Sequence, residues 1–196
     1  MNRHFILALT LLGASLGATA QTAATTVQRD VNQQERIEQG LKSGALSTGE
    51  AARLEREQSA ISRQQSRALA DGKLTPAEKA RLEAAQNKAS ADIAAAKHNG
   101  VTGNPQSASS QRMQADVQRN INQDKRIEAG VQNGSLTNRE AARLERGQAR
   151  VERKEARVGQ DGHVSAAEQA RVQRSENRQS RRIRHEKHDA QVRNPA

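Results

Sequence analysis

The residues best suited to chemistry are basic and late in the chain: Arg171, Arg174, Arg178, Arg181, Arg182, Arg184 and Lys187. On a helix the spacing 171, 174, 178 and 181/182 runs along one face. Guanidinium groups so arrayed bind phosphates or carboxylates bidentately. These seven residues form the candidate polyanion-binding site. A second set could hold metal. Asp71 with Glu78, and Asp161 with Glu168, offer hard oxygen ligands at matching spacings. His185 and His188, three residues apart and next to Asp189, offer the nitrogen and oxygen donors that zinc or copper accepts. Catalysis finds no support. No nucleophile stands beside a base within a recognisable motif, and no glycine-rich phosphate loop follows a strand. Carboxylates read as ion-pair partners, such as Glu55 near Arg53 and Arg56. Neither an enzyme nor a cofactor is expected.

The elements that must position these residues come from a duplication. Val27 to His98 aligns without gaps on Val117 to His188, at an offset of 90 residues. Roughly 30 of about 70 aligned positions are identical, which marks an internal repeat. The longest shared string is EAARLER, at Glu50–Arg56 and Glu140–Arg146. A shorter repeat, Gly-x-[Leu/Val]-[Ser/Thr]-x-x-Glu-x-Ala-Arg, recurs inside each copy from Gly44, Gly72, Gly134 and Gly162. Its Ser/Thr-x-x-Glu core is a capping box, in which a hydroxyl and a carboxylate satisfy orphan N–H groups of a first helical turn. Ser47 with Glu50, Thr75 with Glu78, Thr137 with Glu140 and Ser165 with Glu168 are therefore helix starts. Pro76 suits the first helical position, and the preceding glycines suit a positive φ after the previous helix.

The expected fold is all-α. Helices are placed near 27–42, 48–70 and 76–97, and near 115–132, 138–160 and 166–190, as two tandem three-helix units. Copy 1 spans 21–98, a flexible linker 99–112 and copy 2 113–196, the linker being read from its Gly, Pro, Ser and Asn content. Leu82, Ala85, Ala89, Ile93 and Ala96 fall on one face, as do Ala51, Leu54, Ile61 and Leu69. The stripes are thin, and Ala84, Ala91 and Ala94 become Arg174, Arg181 and Arg184 in the second copy, so marginal packing is expected there.

The sequence from Asp71 resembles the second half of an EF-hand calcium loop, with Gly72 at its sharp turn, Leu74 at the apolar position and Glu78 as the bidentate ligand. Asp161, Gly162, Val164 and Glu168 repeat it. The resemblance implies calcium, but Arg67, Leu69, Arg157 and Gly159 stand where earlier acidic ligands belong. Tight binding is not expected at these turns. The helix starts also resemble the Leu-Thr-x-x-Gln motifs of small cationic periplasmic chaperones, which implies holding of unfolded clients. The repeat is similar as well to those of small uncharacterised exported bacterial proteins, which implies no activity.

The N-terminus sets the compartment. Arg3 and His4 precede an apolar run from Phe5 to Leu16, and Ala18-Thr19-Ala20 then presents a small-x-small cleavage site. A signal peptide over 1–20, with the mature chain starting at Gln21 in the periplasm or outside the cell, is the expectation. There is no cysteine, which excludes disulfides and thiol chemistry. Phe5 is the only aromatic residue, so base-stacking and sugar-stacking platforms are excluded downstream. The net charge is +10 and lies mainly in the second half: residues 21–103 carry 12 Lys and Arg against 10 Asp and Glu, residues 104–196 carry 19 against 12. The partner this implies is an anionic polymer, or an acidic or unfolded protein. A membrane surface also fits, without insertion, since Val172 and Ile183 alone are apolar opposite the arginine face. The function expected is non-enzymatic binding of anionic partners, with a holdase or a divalent-metal (calcium or zinc) responsive protein as alternatives.

Overall fold

The computed structural model describes residues 15–189, and side chains from residue 23 onward. The apolar run read as a signal peptide lies almost wholly outside the described residues. Six helices make up the fold: α1 (Ser15–Ser43), α2 (Thr48–Ala68), α3 (Pro76–Lys97), α4 (Ala108–Gln132), α5 (Asn138–Val158) and α6 (Ala166–His188). Among the described residues no helix is long and apolar enough to cross a membrane.

The helix starts follow from local chemistry. All four capping boxes form, each hydroxyl accepting from the backbone N–H of the glutamate three residues on. Each glutamate in turn accepts from the cap residue's N–H, at 2.7–3.0 Å. Gly44, Gly72, Gly134 and Gly162 sit at φ between 76° and 88°, the left-handed region that a side chain disfavours. Two helices depart clearly from expectation: α1 begins at Ser15 rather than near residue 27, and α4 begins at Ala108, inside the segment read as linker, with Ser107 as its cap. The rest of that segment is docked. Gly103 N–H donates to Gly44 O at 2.8 Å, and a Cβ on Gly103 would stand 2.2 Å from Leu46 O.

The two copies do not pack as separate three-helix units. α2 makes its most extensive contact with α5, and α1 with α4. Residues 90 apart meet at these seams: Ser59 Oγ donates to Ala149 O at 2.8 Å, and Glu35 pairs with Lys125 at 2.7 Å. Arg146 reaching Ser66 fixes α2 and α5 as antiparallel. An approximate twofold axis therefore crosses both seams. Each of two apolar cores is built from both copies. One joins Val27, Leu69, Leu74 and Leu82 to Ile127, Val131, Leu136, Leu144 and Ile183. The other joins Ile37, Leu41, Leu46, Leu54 and Ile93 to Met113, Val117, Ile121 and Val164. The 90-residue offset carries most of one list onto the other. Pairing of copies thus supplies the apolar area that a unit of about 70 residues lacks alone.

The third helix of each copy packs through the same stripe. Leu82, Gln86, Ala89, Ile93 and Ala96 are buried in α3, and Val172, Ser175, Glu176, Gln179 and Ile183 in α6. Ala84 and Ala91 are exposed and Ala94 half-buried, so the arginines that replace them enter the outer face rather than the core. The packing loss expected from these changes does not arise.

Candidate functional site

The arginine helix lies against α4 on one side and α5 on the other. All six of its arginines are exposed and Lys187 is half-buried, but they do not share one face. Arg178 and Arg182 turn toward α5 and line a groove of about 260 Å³ with Arg150, Lys154, Gly147, Val151, Ser175 and Gln179. Arg174 sits near enough to Lys154 to act on it electrostatically. Arg184 leans instead toward Arg126 of α4, and Lys187 Nζ donates to Arg126 O at 3.2 Å. Arg171 and Arg181 point to solvent. Sequence reasoning found Arg178 and Arg182 but missed Arg150 and Lys154. Their signal was there: they stand where the first copy has Ala60 and Gln64.

The groove holds four cations and no carboxylate. Ser175 Oγ accepts from Lys154 Nζ and from Arg178 Nη2, the latter at 3.0 Å, which fixes both cations across the cleft. Partial burial pushes the Lys154 ammonium below its usual range, and Arg178, Arg174 and Arg157 push it further. Gly147 keeps the floor low. A Cβ there would lie 2.0 Å from Gln179 Oε1, and Gln179 crosses beneath to donate to Leu144 O at 2.8 Å. At the equivalent place in the first copy stand Glu57, Ala60, Gln64, Lys88 and Asp92. There Lys88 pairs with Asp92 and Glu57 lies against Asp92, so that face neutralises itself. A wider depression of about 770 Å³ between α2 and α3 is also basic, through Arg63, Arg67, Arg81 and Arg153, but it includes Glu78.

The interior has the opposite sign. Asp30, Glu55, Asp116, Asp124, Glu140, Glu145, Glu152, Glu155 and Glu176 are each no more than 5% exposed, and no lysine or arginine is buried among the described residues. Among the described residues the one cation that pairs with any of them is Arg119, with Glu176 at 3.2 Å. Glu55, read from sequence as an ion-pair partner of Arg53 and Arg56, is fully buried while both arginines are exposed: EAARLER places Leu54 and Glu55 together on the inward side. Amides do much of the solvating. Gln86 and Gln65 donate to Asp30, Gln34 to Glu55, Gln148 to Asp124 and Asn120 to Glu155. Ser62 donates to Glu152. Burial raises Asp30, Glu55 and Asp116 to about 7 and Glu176 to about 8. Asp124, Glu145, Glu152 and Glu155 are pushed well above the carboxylate range by burial, and then by neighbouring buried acids such as Asp30, Glu55 and Asp116. Glu155 lies close enough to Glu55 for that acid to push it further up. Among the described residues fourteen buried side-chain atoms lack a hydrogen-bond partner, and all are oxygens. Acceptors outnumber donors inside, and protonation of the carboxyls whose pKa is raised would supply donors for some of them.

The EF-hand-like turns are used for structure. Asp71 Oδ1 accepts from Lys73 N–H and Asp161 Oδ1 from His163 N–H, while Glu78 and Glu168 are engaged in their capping boxes. These acids do not converge on a common point as metal ligands, nor do His185 and His188, both exposed. Among the described residues the grouping that does converge is Glu140, Glu186 and Asp189. Compared with protein-family models, curated proteins and solved structures, the chain finds no match.

Proposed function

We propose that this is an exported, non-enzymatic protein that binds phosphate-bearing polymers or surfaces outside the cytoplasm through the α5–α6 groove. The observation that carries the reading is the groove's composition. Arg150, Lys154, Arg178 and Arg182 face one cleft without a carboxylate, whereas the equivalent face of the first copy holds Glu57 and a Lys88–Asp92 pair. Four unneutralised cations this close repel one another, and a phosphate chain relieves that repulsion while releasing its own counterions. Arg171, Arg174 and Arg181 extend the positive field along α6. Export rests on the N-terminal sequence pattern alone. Capture of unfolded clients by apolar contact has less support, since Val101 is the one large apolar side chain strongly exposed among the described residues.

Titration of lipopolysaccharide and of duplex DNA into the full mature chain tests the reading. The variant Arg150→Gln, Lys154→Gln, Arg178→Gln, Arg182→Gln should lose at least about tenfold in affinity for whichever polymer the protein binds, as several lost charged contacts require. Binding by neither polymer, or undiminished binding by the variant, would overturn it.

A further inference from the structure

The duplication contains its own comparison at the start of its second helices. In the first copy, Glu50 Oε2 accepts from Ser47 N–H at 2.9 Å and from Ser47 Oγ at 2.8 Å, and its Oε1 accepts from Asn99 Nδ2 at 2.7 Å. Ninety residues on, Glu140 Oε2 does the same with Thr137, at 2.7 and 2.8 Å. The counterpart of Asn99, however, is Asp189, and the counterpart of Ala96 is Glu186. An amide donor has become a carboxylate, and a methyl group has become a second one. One carboxylate oxygen from each of Glu140, Glu186 and Asp189 lies within 4.8 Å of the others. Glu140 is fully buried, and its Oε1, the atom that its first-copy equivalent uses toward Asn99, accepts no hydrogen bond.

A buried lone pair without a donor, beside two more carboxylates, points to a cation. The donor set is oxygen only, which selects a hard ion over zinc or copper. Three carboxylates of mixed reach suit the adaptable shell of calcium better than the strict octahedron of magnesium. We propose that Glu140, Glu186 and Asp189 form a calcium site that ties the end of α6 to the first turn of α5. The site is distinct from the EF-hand-like turns and independent of the anion-binding reading.

With three protein carboxylates the site belongs in the affinity range of extracellular calcium modules, with Kd between about 10⁻⁴ and 10⁻³ M. The test is thermal unfolding of the full mature chain in about 10 mM calcium chloride against EDTA at matched ionic strength. Binding in that range raises Tm by about 3–10 °C. Asp189→Asn rebuilds the first copy's hydrogen bond, so this variant should keep at least wild-type Tm in EDTA and lose the calcium shift. That combination separates a metal site from a merely structural contact. Equal wild-type Tm with and without calcium would overturn the proposal, as would a full shift in Asp189→Asn.

Discussion

At the scale of single residues the dominant fact is the buried acid. A carboxyl whose pKa rises on folding binds more protons in the native state than in the unfolded chain. Stability is then fully present below the unfolded value near 4 and declines as pH rises through the folded one. Asp30, Glu55 and Asp116 at about 7, and Glu176 at about 8, place that decline between roughly pH 4 and pH 8. Tm should fall steadily from pH 5 to pH 8, and a flat or rising profile would contradict the protonated interior. Glu155→Gln isolates one member. The first copy already has Gln65 at this place, an amide accepts from Asn120 as the acid does, and its N–H₂ can donate to Glu55. Replacing an uncompensated buried acid in this way should stabilise the protein at pH 8 by about 1–3 kcal/mol and flatten its pH dependence. Urea unfolding at pH 5 and pH 8 measures both effects. This layer was not legible in the sequence. Glu55 stands between arginines on paper, and only the phase of the helix shows that it turns inward while they turn out.

At the scale of elements the sequence was most informative, because capping boxes act within four residues and need no partner. The four Ser/Thr-x-x-Glu starts, and the glycine at positive φ before each of them, appear where their chemistry requires. What local chemistry could not reveal is the flank of α6 that each arginine takes. The i, i+4 series Arg174, Arg178 and Arg182 turns toward α5, while Arg184 and Lys187 turn toward α4, and the choice depends on a neighbour that α6 does not encode. The cap of α6 matters because that helix carries half of the groove. Ser165 Oγ accepts from Glu168 N–H at 3.2 Å, and Glu168 reaches back to the Ser165 N–H. Ser165→Ala should cost about 0.5–2 kcal/mol of global stability in chemical denaturation, and no loss would show that tertiary contacts alone hold the helix start.

At the scale of the whole molecule the duplication was legible but its consequence was not. A constant 90-residue offset reads equally well as two beads on a string or as two interlocked halves. The packing of α2 on α5 and of α1 on α4, with two cores drawn from both copies, decides for the second. It follows that residues 21–103 expressed alone should be unfolded as a monomer or should pair with themselves. A monomeric fragment with a cooperative thermal transition would contradict the interlocked cores. Interlocking also lets the copies diverge on their outer faces while the shared interior keeps both in place. The first copy retains a self-neutralised face, and the second has exchanged Ala60, Gln64 and Asp92 for Arg150, Lys154 and Arg182. The most direct test of whether that exchange serves binding is the salt dependence of association with a phosphate polymer. Log K for duplex DNA should be measured against log salt for three full-length chains. These are wild type, the four-fold groove variant (Arg150, Lys154, Arg178 and Arg182 to Gln), and a remote control with Arg53, Arg56, Lys73 and Lys79 changed to Gln. The slope should lose about 3–4 units in the groove variant and stay near wild type in the control. Equal losses in both would make binding a property of net charge and would remove the groove as the site.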